Sequence, residues 1–189
     1  MKKTVIVCGL LCLLSAVNVF AGNPVSVKSG DISVLKNQSN AILEIDYSNT
    51  KVDNKETLDE YLKRRGDDFV KDWPKDKETA ANYFIGRFNN KNKGMQLLME
   101  PATNANYKIV IHVNNLDMGN GGSTFNPYAS PKAGGVIMTG TVDIVDMKTN
   151  KIVCTLTVDE VKGLGHVSET TRLGLMYFEL ATIICKLSK

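Results

Sequence analysis

The sequence predicts an α/β (α+β) two-layer sandwich, a mainly antiparallel sheet of five to six strands covered on one face by three helices in the order ββααβββα. Three observations carry this. Residues 135–146 and 151–161 alternate apolar with Thr or Asp and are joined by Met147-Lys148-Thr149-Asn150, the pattern of a hairpin with one greasy face. A closing segment from Glu169 to Leu187 places Leu173, Met176, Tyr177, Leu180, Ile183, Ile184 and Leu187 at helical spacing, a stripe suited to roofing that face. Between the two ends of the chain, residues 53–92 are charged and helical in character.

Taken in chain order, Lys2 and Lys3 precede an apolar run from Val5 to Val17 and the break Asn18-Val19-Phe20-Ala21-Gly22. These are the parts of a secretory signal peptide, with cleavage expected after Ala21. The apolar run is shorter than the roughly 20 residues needed to cross a bilayer. Cys8 and Cys12 lie inside it, out of place for lipidation, so the expectation is a periplasmic or secreted protein that is not a lipoprotein. Residues 22–189 then form a single domain.

Val25–Lys28 and Ile32–Leu35 read as strands around Ser29-Gly30-Asp31, and residues 41–47 as a third with Leu43, Ile45 and Tyr47 on one face. Asp53 or Asn54 is expected to cap a first helix containing Leu58, Tyr61 and Leu62, ended by Gly66. A second helix is expected to start near Asp72-Trp73-Pro74, where proline is tolerated in a first turn. It carries Ala80, Ala81, Phe84, Ile85 and Phe88 and stops at Asn89–Gly94. A short edge strand at 95–99 precedes the alternating strand Tyr107–Val113. In the hairpin, Val136, Met138, Val142 and Ile144 share the greasy face with Ile152, Cys154, Leu156 and Val158. Thr139, Thr141, Asp143, Thr155, Thr157 and Asp159 take the other.

Composition excludes several functions. The chain of 189 residues has 23 basic and 20 acidic side chains, and loss of the leader leaves 21 against 20. Such a balance gives no electrostatic reason to expect nucleic acid or anionic lipid as partner. No cofactor motif is present. Gly163-Leu164-Gly165 lacks the third glycine of a dinucleotide fingerprint, and Ser168 reads as a helix cap. With Cys154 and Cys185 the only cysteines after the leader, a disulfide between them and two buried thiols stay open as alternatives.

The 18-residue connection from Asp117 to Gly134 exceeds ordinary loop lengths and is rich in glycine. Asp117, Asn120, Phe125, Asn126 and Tyr128 are its candidate contact residues for a partner or small ligand, calcium or a sugar included. A competing reading is a small hydrolase in which Glu169 orients His166 as base, although no serine stands in a nucleophile-elbow context. His112 and Cys154 are expected on opposite faces of the sheet, which excludes a Cys–His pair between them.

The strand Tyr107–Val113, the glycine-rich loop, Gly140-Thr141-Val142-Asp143-Ile144-Val145-Asp146, Lys148–Val153 and the final helix together resemble bacterial envelope domains of the TolB amino-terminal and curli-secretion lipoprotein type. The overlap spans about 80 residues from position 107. Asn150 stands where that family has glycine, the lipidation cysteine is absent, and the insert at 53–92 is long for the family. The resemblance implies an envelope assembly or adaptor domain without catalysis, whose partner is an unknown protein or small ligand of the cell envelope.

Overall fold

A computed structural model describes residues 23–92, 94–99, 104–119, 134–166 and 168–188. Strand β1 (Val25–Gly30) is followed by a 3-10 turn (Ile32–Leu35), then β2 (Asn40–Asp46), β3 (Lys51–Val52) and β4 (Glu56–Thr57). Helices α1 (Leu58–Arg65) and α2 (Asp67–Lys91) come next. Then follow β5 (Gln96–Met99), β6 (Tyr107–Asp117), β7 (Ile137–Asp146), β8 (Lys151–Lys162) and α3 (Glu169–Leu187).

The α+β class stands, but the sheet is mixed and has eight strands, in the order β1-β8-β7-β6-β2-β5 with β3 and β4 beside β6. The expected antiparallel part is β1-β8-β7-β6. Beyond it β2 runs parallel to both β6 and β5, and β3 runs parallel to the end of β6. The long α1–α2 excursion makes this possible, because a parallel neighbour needs a crossover of a dozen or more residues.

Several local expectations are corrected. Ile32–Leu35 is a 3-10 turn, not a strand, because Asp31 takes its side chain back to Ser33 and caps it; Ile32 and Leu35 still enter the core. Asp53 and Asn54 do not cap α1. Both have positive φ (54° and 57°) and Lys55 N bonds Val52 O, as in a type I′ turn joining β3 to β4. The cap is Thr57, whose hydroxyl accepts from Glu60 N while the Glu60 carboxylate accepts from Thr57 N, a capping box. Helix α2 begins at Asp67, so Pro74 lies inside it; Gly66, at φ 118°, turns the chain between the two helices.

The greasy face is as expected, with Met138, Val142, Ile144, Cys154, Leu156 and Val158 at most 2% exposed. Ile152 is the exception at 58%. A bulge shifts the β7–β8 register between Ile144 and Val145 and turns Ile152 outward. Thr139, Thr141, Thr155 and Thr157 lie on the other face, partly exposed. Helix α2 packs on the β2–β5 side and α3 on the β8–β1 side, and the two pack on each other. Phe84, Phe88, Met176 and Tyr177 seal that contact with no exposed surface. Burying each such side chain contributes roughly 1.5–3 kcal/mol.

Candidate binding cleft and open sheet face

Two polar regions stand apart from this core. The first is a cleft of about 730 Å³ at the end of the sheet where β6 finishes and β7 begins. It is walled by the β3–β4 turn, α1 and the end of β8. Its size falls in the usual range for small-molecule sites. Asn115 on β6 braces the β3–β4 turn, accepting from Asn54 N at 2.7 Å. Across the cleft Arg65 donates to the Tyr61 hydroxyl at 2.7 Å and pairs with Glu169 at 3.0 Å, while Tyr61 donates to Glu169 at 3.0 Å. Burial, and then the Glu169 charge, push the Tyr61 phenol up to about 12. Arg64 grips Glu56 through two nitrogens, and that pair holds the Glu56 carboxyl below its usual range.

Of the sequence-predicted contact residues, Asp117 lines this cleft, its carboxylate accepting from Gly119 N at 2.9 Å. Asn120, Phe125, Asn126 and Tyr128 lie outside the described residues. Gly119 and Gly134, the described ends of the long connection, both line the cleft. Buried Arg172 ties this end of the molecule together, reaching Met118 O at 3.3 Å and His166 O at 2.9 Å.

The pairing of His166 with Glu169 does not form. His166 is exposed and its Nδ1 accepts from Ser168 N at 3.0 Å, whereas Glu169 is taken up by Tyr61, Arg65 and Arg172. The physical reason is local: Ser168 caps α3 and faces Glu169 towards α1, away from the imidazole. The cysteines are two separate buried thiols, so the disulfide alternative is not taken. Cys154 sits between Gly30 and Ile144 in the sheet, while the Cys185 thiol lies 3.7 Å from Phe88 O on α2. Burial, followed by the charges of Asp31 and Asp143, pushes the Cys154 thiol up.

No family model matches the chain, and no curated protein matches it. Two solved structures are similar to it. One is the PelC dodecamer from Paraburkholderia phytofirmans, with TM-score 0.44, 14% identity, and coverage of 83% of this chain and 96% of that one. The other is a single-substitution variant of the same PelC dodecamer, with TM-score 0.43, 13% identity, and coverage of 84% and 96%. Likeness at this level carries no argument about activity or assembly.

The second polar region is the open face of the sheet, which holds an array the sequence reading missed. His112 on β6 places Nδ1 3.0 Å from Asp46 Oδ2 on β2 and Nε2 3.3 Å from Asp143 Oδ2 on β7. Thr155 on β8 donates to Asp143 Oδ1 at 2.7 Å, so the array crosses four strands. Hydrogen bonds from Ser48, and then from His112, hold the Asp46 carboxyl below its ordinary value. Next to it Lys108 pairs with Glu44 at 2.6 Å. Alternation placed His112 on this face, opposite Cys154, but its partners lie 66 and 31 positions away and only strand pairing brings them near.

Proposed function

We propose that the chain is a non-catalytic binding or adaptor domain, exported to the periplasm or beyond, that acts through surface contacts at the sheet-end cleft. The observation that supports this reading most is the convergence there of Asp117, both described ends of the long connection and a braced wall of charged side chains. Braced side chains lose little further entropy on binding, which favours recognition. Lys55 and Lys162 line the cleft as exposed cations, whereas Arg64 and Arg65 already hold carboxylates. An occupant presenting both acidic and hydroxyl or amide groups suits this lining.

The test is paired capture from envelope extract, comparing wild type with Lys55→Glu/Lys162→Glu, with a variant shortened within 117–134, and with Lys148→Glu as a remote control. A partner held by wild type and the control but lost from both cleft variants is the expected result. Identical partner sets for all four proteins sink the reading. The cleft volume also accommodates a small ligand, and a thermal-shift screen with calcium and sugars distinguishes that case by a rise in Tm absent from the cleft variants.

A further inference from the structure

We infer that the open sheet face carries a binding site for one divalent transition-metal ion of the zinc class, with His112 Nε2 and Asp143 Oδ2 as its two protein donors. The site is distinct from the cleft and does not depend on the binding role proposed for it. Its starting point is an imidazole between two carboxylates. A neutral imidazole has one N–H, and Asp46 Oδ2 at 3.0 Å from Nδ1 is its better placed acceptor. Nε2 then presents a lone pair to Asp143 Oδ2, and two acceptors facing each other call for a cation between them.

The spacing selects the kind of cation. Zinc binds imidazole nitrogen and carboxylate oxygen at about 2.0–2.2 Å, and donors 3.3 Å apart on such radii subtend about 105°, close to tetrahedral. An octahedral magnesium ion, with an angle of about 90° at about 2.1 Å, needs donors nearer about 3.0 Å, and calcium, at 2.3–2.6 Å, draws on six to eight oxygens. Imidazole as a donor points the same way.

The surroundings fit the role. Asp46 against Nδ1 is the carboxylate–histidine support that fixes the ring and raises its basicity. Asp46 is itself held by Ser48 N at 2.9 Å, and Thr155 fixes Asp143 through its other oxygen. Among the described residues no group of three His, Cys, Asp or Glu side chains surrounds a common point, so water fills the remaining positions. His112 is 36% exposed, which leaves room for that water, while Asp143 is 14% exposed and better fixed.

The test is titration of the full chain with zinc chloride in a non-chelating buffer, by calorimetry and by histidine side-chain nitrogen NMR. One zinc per chain is expected, with the resonance of His112 Nε2, and not Nδ1, moving on binding. His112→Gln and Asp143→Asn each weaken binding at least tenfold. Asp46→Asn weakens it by about tenfold, as support residues do. His166→Gln leaves it unchanged. Absence of saturable binding below millimolar zinc overturns the inference, as does binding indifferent to His112→Gln and Asp143→Asn. Should a variant fail to fold, the wild-type spectrum decides alone: a His112 ring that keeps protons on both nitrogens in excess zinc holds a proton there and no metal.

Discussion

Thr57 shows how much one side chain sets at the residue scale. Its hydroxyl and the Glu60 carboxylate close the start of α1 reciprocally, and α1 supplies Tyr61, Arg64 and Arg65 to the cleft. Thr57→Ala should cost about 1 kcal/mol, read as a lower denaturant midpoint at unchanged m-value. The motif Thr57-Leu58-Asp59-Glu60 is legible in the sequence as a capping box. It was passed over because Asp53 and Asn54, also good caps, stand just upstream. What separates them is backbone: both sit at positive φ in a turn, and a cap requires extended geometry.

Among elements, α3 is the one whose length and buried stripe were written plainly in the chain, since a 3.6-residue period needs no distant partner to be recognised. Its docking is less legible. Gly163, in the segment leading to it, lies so close that a Cβ there would come within 2.5 Å of Met176 N. Backbone atoms cannot move aside as a flexible side chain can. Gly163→Ala is therefore expected to destabilise by about 1–3 kcal/mol, checked by thermal and urea unfolding. Helix α2 is the opposite case. Proline at its eighth position reads as a boundary, yet tertiary packing of Ala80, Phe84 and Phe88 holds the helix through it. Removing that lost hydrogen bond and clash by Pro74→Ala should stabilise the protein, by up to about 3 kcal/mol in the same measurement.

For the whole molecule, the contact between layers has a pH signature. Tyr47 and Tyr177 join hydroxyl to hydroxyl at 2.7 Å between sheet and α3, and burial pushes both phenols above their ordinary range. Tyr61, in the cleft, is pushed up to about 12 by burial first. The folded state thus keeps these protons where the unfolded chain has given them up. Their contribution is intact below about pH 10 and is lost as pH climbs towards 12. Alkaline titration followed at 295 nm should show a late phase coinciding with loss of far-UV circular dichroism. Tyr47→Phe should reduce that phase.

What the sequence by itself determined is everything with a short period: the β7–β8 hairpin, the alternating faces, the closing helix and the break at Gly66. These rest on neighbours within a few residues, where periodicity and turn chemistry act directly. Only the tertiary structure decided the parallel placement of β2 between β5 and β6, the outward turn of Ile152, the separation of the two thiols and the Asp46–His112–Asp143 array. Each depends on residues that the chain brings together across 30 or more positions, or on a bulge that resets register. Parallel pairing has no sequence signature of its own, because the crossover that permits it says how far the chain travels and not beside which strand it returns.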